Sequence, residues 1–196
     1  MELQLNINER YSFADYLLWI DDKRRELING FIKMMSPAPL SEHQKISFNI
    51  SGEFYLFHKK NKTNCAFFEA PFDVRLPTNG EKEDNKIFTV VQPDIVIICD
   101  KNKLDKRGCL GAPDFIVEII SKSTAKKDME DKYNLYEQHG VKEYWIVFPH
   151  EEVIQKFVLE SNTYIKKGTF AKEDKIPVHI FKDKLKIDLK DVFTEN

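Results

Sequence analysis

The sequence predicts an α/β fold: a mixed central sheet flanked by helices, with an N-terminal hairpin and a C-terminal β extension. Three observations predict it. Two nearly continuous apolar runs, VQPDIVIICD and APDFIVEII, read as central strands buried on both faces. Amphipathic helical stretches stand before and after them. The length, 196 residues with 42% apolar and 32% charged, suits one domain over residues 1–196, with a sizeable core and a solvated shell.

Each element has its own signal. Ser12 caps a helix over FADYLLWID, with Asp15 at the capping-box position. RRELINGFIKMMSP reads as a hairpin turning at Asn29-Gly30. Pro39 and Ser41 introduce a helix whose apolar stripe is Ile46, Ile50, Phe54 and Phe57, ending in HKKNKTN. From Cys65 to Leu76 the chain is strand-like, broken by Pro71, and PTNGEKEDNK is a polar turn. A basic, Gly-containing loop, KNKLDKRGCLG, joins the two central runs. A helix follows from about Ser123 to His139, closed by Gly140. KEYWIVFP is another buried strand, and the remainder reads as a meander or hairpin plus a final strand-like piece.

Composition excludes some functions. Thirty Lys and Arg against 32 Asp and Glu give a net charge of −2, which rules out holding nucleic acid by bulk positive charge. Glu2, Asn6, Glu9 and Arg10 interrupt the apolar run that a signal peptide needs. The apolar runs fall short of the ~20 residues that span a bilayer. Cys65, Cys99 and Cys109 are odd in number and lack C-x-x-C spacing, so they read as free, hydrophobic thiols in a reducing cytoplasm.

Two acids interrupt the central strands. Asp94 opens PDIVIICD, and Glu118 lies inside FIVEII with apolar neighbours on both sides. A buried carboxylate needs a cation, a metal or several donors. Glu118 therefore sits in a structural salt bridge or near a strand end, or else it converges with Asp94 on one hard cation. Mg²⁺ or Mn²⁺ suits such a pair, keeping waters and taking its other oxygens from a phosphate. Asp114 shares a strand face with Glu118 but stands ~13 Å away at ~3.3 Å per residue, and reads as a turn residue. Along the next helix Met129, Lys132, Tyr133, Tyr136 and His139 share one face. Lys132 either pairs with Asp128 in solvent or directs its ammonium at the carboxylates. Lys122, Lys126 and Lys127 bracket the start of that helix and are candidate phosphate contacts. No helix-turn-helix, zinc finger or stacking platform stands out.

QPDIVIICD, GAPDFIVEIISKST and DMEDKYNLYEQHGVKEYWIVFP, in that order and spacing, resemble the Uma-two family of restriction endonucleases. This family lies within the PD-(D/E)XK nuclease superfamily. RRELINGFIKMMSPAPLSEHQKI also looks like its N-terminal part, so the likeness runs to about residue 160. The resemblance implies a restriction-endonuclease-like core, with Asp94 and Glu118 as the two metal-binding acids. The superfamily's lysine two residues beyond the second acid is Ile120 here, and the resemblance implies that Lys132 in KYNLY replaces it. Glu26, Glu42 and His43 match regions that supply accessory groups, with Tyr136 beside Lys132. Their plainer roles are an ion pair for Glu26, a helix N-terminus for Glu42 and packing for His43. Altogether the likeness implies a Mg- or Mn-dependent endonuclease on DNA, with a homodimer supplying two sites for two strands. The alternative is a catalytically weak interaction module on the same fold.

Overall fold

The computed structural model describes residues 5–35, 40–121 and 125–194, without the side chains of 125–128. Among these residues the strands form two six-stranded sheets and a two-stranded ribbon. The chain begins with α1 (Phe13–Tyr16), then β1 (Arg25–Ile28) and β2 (Phe31–Met34). Next come α2 (Ser41–Asn61), β3 (Ala66–Glu69), β4 (Val74–Arg75), β5 (Val90–Val91) and β6 (Ile95–Ile98). They are followed by β7 (Leu104–Asp105), β8 (Gly108–Leu110), β9 (Phe115–Ile119), α3 (Ala125–His139) and β10 (Glu143–Phe148). The chain closes with β11 (Val153–Glu160), β12 (Thr163–Ala171), β13 (Lys175–Pro177), β14 (Lys186–Asp188) and α4 (Leu189–Val192).

The first sheet has the order β2-β1-β5-β4-β8-β7 and the second β12-β11-β10-β9-β6-β3. In the second, β9 and β10 pair in parallel while their outer neighbours run antiparallel, so the sheet is mixed as expected. Parallel neighbours need a crossover, and α3 supplies it. Side-chain alternation then divides the sheet into two faces. Ile95, Ile97, Phe115, Val117, Ile119, Trp145 and Val147 pack with Ile46, Ile50 and Phe54 of α2 and with the C-terminal ribbon. Val96, Ile98, Ile116, Tyr144 and Ile146 pack with Leu135 and Tyr136 of α3. Glu118, one residue from each of two α2-side neighbours, is thereby turned toward α3.

Local chemistry explains the element ends. Asn29 and Gly30 both hold positive φ (54° and 88°), the backbone that a two-residue hairpin turn demands. Ser12 and Asp15 form a full capping box, but the helix stops at Tyr16 rather than running through FADYLLWID. Two further expectations need correction. The segment expected as a plain loop between the central runs contains the β7–β8 hairpin, and Gly108 there has φ 113° with room for no side chain, since a Cβ would lie 2.1 Å from the Asp73 carbonyl oxygen. Cys65 and Cys99 are disulfide-bonded, because the register Ala66↔Ile98 sets the next two residues opposite each other. That pairing removes the free-thiol argument for a reducing compartment. Cys109 alone is free, buried in β8 beside β4. Among the described residues no helix is long and apolar enough to cross a membrane.

Candidate active site

The two sheets meet where β5 passes into β6 through Gln92, Pro93 and Asp94, and the candidate site is built at this seam. Asp94 Oδ2 accepts a 2.7 Å hydrogen bond from the Ile119 amide, which pins the start of β6 to the end of β9. Its other oxygen lies 3.3 Å from His43 Nε2 on α2. Glu118, on the neighbouring strand, is 7% exposed. Its Oε1 accepts from Lys132 Nζ at 2.9 Å and from the Tyr136 hydroxyl at 2.6 Å, one helical turn apart on α3. Lys132 Nζ also donates to Glu26 Oε1 at 3.0 Å, and the Gln92 amide donates to the same oxygen at 2.8 Å. The first sheet, the second sheet and α3 are thus joined through one ammonium.

The electrostatics follow from burial and neighbours. Burial pushes the Glu118 carboxyl well up from the ordinary range; the Lys132 ammonium opposes this, and the charges of Asp94 and Glu26 add to it. Burial works against the charged form of Lys132, yet Glu118 and Glu26 outweigh it and hold the ammonium protonated. Burial and Glu118 raise Tyr136, keeping its hydroxyl a donor. For His43, burial opposes protonation, but the hydrogen bond and charge of Asp94 overcome it and the net shift is upward. Its Nδ1 is buried without a partner among the described residues.

Glu26, Glu42, His43, Asp94, Glu118 and Lys132 all line one cavity of about 940 Å³. Glu42 stands exposed toward the mouth and takes no hydrogen bond from the inner group. The structure therefore brings together Asp94, Glu118, Lys132, Glu26, His43 and Tyr136, and leaves Glu42 at the rim. Lys132 makes the inward pairs; the side chain of Asp128, the other expected partner, lies outside the described residues. Ile120 lines the same cavity but carries no charge. Lys122 and the side chains of Lys126 and Lys127 lie outside the described residues. Asp114 is a strand-end residue, holding the Cys99 amide at 2.7 Å and the Lys142 ammonium at 2.5 Å.

Sequence reasoning missed a supporting group. The Gln92 side chain donates to Asp73 Oδ1 at 2.9 Å and to the Tyr16 hydroxyl at 3.3 Å, while Arg24 donates to Gln92 Oε1 at 3.1 Å. This clamp fixes the residue whose amide holds Glu26. Only the adjacency of Gln92 to Pro93-Asp94 hinted at it; Tyr16 and Asp73 are 57 residues apart and carried no local signal.

The donor set bears on which metal would fit. Among the described residues no three of His, Cys, Asp and Glu form a closed metal cage. Asp94 and Glu118 instead offer two hard oxygen donors on adjacent strands, the number of carboxylates Mg²⁺ takes when water and phosphate complete its shell. The residues fit the group.

Comparison with known proteins agrees with the fold. No curated protein sequence matches the chain. A crystal structure described as a putative nuclease belonging to DUF820, from Anabaena variabilis ATCC 29413, superposes with a TM-score of 0.71 at 19% identity. The match covers 93% of this chain and 97% of that one, and at this identity it establishes the shared fold. The sequence profile of Uma2, described as "Putative restriction endonuclease", matches residues 13–190, which takes in both sheets, α2, α3 and every residue of the seam. The chain belongs to the Uma2 family.

Proposed function

We propose that this protein is a metal-dependent endonuclease that hydrolyses phosphodiester bonds in DNA. Family membership supports a nuclease-like function, and the observation that carries the finer reading is the convergence of Lys132 on Glu118 beside Asp94 at the floor of one cavity. Asp94 and Glu118 would hold Mg²⁺ or Mn²⁺. When bound, that ion supplies Lewis-acid polarisation of the phosphate and a more acidic attacking water.

The protein's own groups do the rest. Lys132, protonated and buried, is a fixed positive charge for the negative charge that builds on the phosphoryl oxygens. Its raised proton affinity argues for this role over that of a base. Tyr136 donates to the oxygen that Lys132 also holds, and so fixes the rotation of the carboxylate that would hold the ion. Glu26 anchors Lys132 from the other side. His43, whose proton affinity Asp94 raises, orients that carboxylate and, when protonated, offers a second positive charge at the cavity wall.

The test is cleavage of supercoiled, duplex and single-stranded DNA by wild type and Asp94→Asn, purified side by side, with Mn²⁺ or with chelator. Cutting that requires both the metal and Asp94 is expected. An Asp94→Asn protein that cuts at the wild-type rate would sink the assignment.

A further inference from the structure

Most of the outward face of α2 lies outside both the core and the seam. At ~100° per residue, Tyr55 and Lys59 each lie within ~20° of Phe48, on either side of it, with Gly52 between the two rings. Phe48 is 72% and Tyr55 59% exposed, unusual for large aromatics on a helix whose opposite face buries Ile46, Ile50 and Phe54. A Cβ at Gly52 would meet nothing within 4 Å, so the space between the rings is open. Phe48, Leu40 and Gln44 also line the cavity of the seam, which makes this face a continuation of its wall. The charge along it is positive. Lys59 stands exposed at its far end, with Lys62 just past the helix, and neither pairs with a carboxylate among the described residues. Glu42 and Glu53, the acids of α2, point ~120–140° away from Phe48 at the same pitch.

We infer that this face carries a single-stranded nucleic-acid segment, the unpaired flank of the strand that enters the cavity. Unpaired bases stack on Phe48 and Tyr55, and backbone phosphates lie against Lys59 and its neighbours. The inference rests on the nuclease reading for its choice of ligand. Three features favour a strand over other occupants. The rings are ~10.5 Å apart along the helix, too far for consecutive stacked bases but suited to separate bases of an extended strand. Lysine beyond two exposed rings, with the acids of α2 turned away, complements a polyanion with exposed π-faces. A paired duplex hides those faces, so the site selects single strands or frayed ends. A second copy of this chain is the poorer fit, because antiparallel α2 packing about Gly52 sets Lys59 opposite the Lys45 of the other copy.

Binding is measured by fluorescence anisotropy in chelator, so that cleavage plays no part, using a labelled oligothymidylate of about 20 nucleotides and a blunt duplex of equal length. Phe48→Ala, Tyr55→Ala and the ring-for-aliphatic change Phe48→Leu should each weaken oligothymidylate binding about tenfold or more, with duplex binding altered less than about twofold. Lys59→Gln should reduce the slope of log affinity against log salt by ~0.7. All of these residues are exposed, so unchanged melting temperatures will show that the variants are folded. Wild-type oligothymidylate affinity in Phe48→Ala and Tyr55→Ala, equal losses on both ligands, or no binding by wild type overturns the inference. So does a change in oligomeric state without a change in affinity, which would assign the face to self-association. Cleavage that survives these results leaves the nuclease reading standing, whereas intact strand binding with no metal-dependent cleavage removes that reading and keeps this one.

Discussion

Lys132 carries more of the site's energetics than any other side chain, because it is the cation that Glu118 and Glu26 share. Removing one partner of a buried ionic group leaves uncompensated charge and costs about 3–5 kcal/mol. Lys132→Met should therefore lower the melting temperature by roughly 6–20 °C for a chain of this size. Millimolar Mn²⁺ should return part of that loss, because a divalent ion can answer the same carboxylates. A variant as stable as wild type in calorimetry would contradict the buried pairing. A second residue-scale prediction concerns thiols. Burial pushes the Cys109 thiol up to about 12, so the folded chain keeps that proton where an unfolded chain loses it. With the folded value raised, this contribution to stability is complete below about pH 8.5, the ordinary thiol value, and fades as pH rises toward 12. At pH 8.5 native protein should take up no iodoacetamide, denatured protein one equivalent per chain, and denatured, reduced protein three, counted by intact mass. Alkylation of the native, unreduced chain would refute the burial of Cys109 or the Cys65–Cys99 bond.

Elements with local signals were legible in the sequence, and elements made by long-range pairing were not. The Asn29-Gly30 hairpin, the Ile46-Ile50-Phe54 stripe of α2 and the Gly140 stop of α3 are written within a few residues of one another. Glu118 was legible as an anomaly, a charge in an apolar strand. Its solution was half-legible, since the three-four spacing put Lys132 and Tyr136 on one face without saying what faced them. The pairing of Glu26 with Lys132 spans 106 residues and needs both sheets in place. The β7 and β8 strands are two and three residues long, too short to show any period, and Gly108 looked like a loop residue. Gly108→Ala tests that hairpin directly. Backbone strain costs about 1–3 kcal/mol, and the overlap with the Asp73 carbonyl adds to it, so a melting temperature lower by at least roughly 3 °C is expected. An unchanged value would mean that the β4–β8 approach is looser than described.

At the scale of the whole molecule, the notable fact is that a chain with net charge −2 gathers three carboxylates at the junction of its two sheets. Under the proposed reaction the ion would also tie β6 to β9, through Asp94 and Glu118. Binding only to the folded state at ten times its dissociation constant, Mn²⁺ should add about 1.4 kcal/mol, or roughly 3–6 °C. Asp94→Asn should lose this increment while melting as a single cooperative unit. An equal increment in both proteins would place the ion elsewhere.

The lysine's position on a helix rather than on the strand of its carboxylate has a mechanical consequence. On a strand, the gap between cation and carboxylate is set by covalent geometry within one extended backbone. Here it is set by how α3 seats on the sheet, through Leu135 and Tyr136 against Ile116, Tyr144 and Ile146. Under the proposed function, the hydrophobic contact beneath α3 is then the alignment stage of the site, and sub-ångström tilt of the helix becomes a tuning variable for the reaction. Leu135→Ala, buried and distant from any substrate, should therefore reduce the cleavage rate by more than its loss of folded protein accounts for.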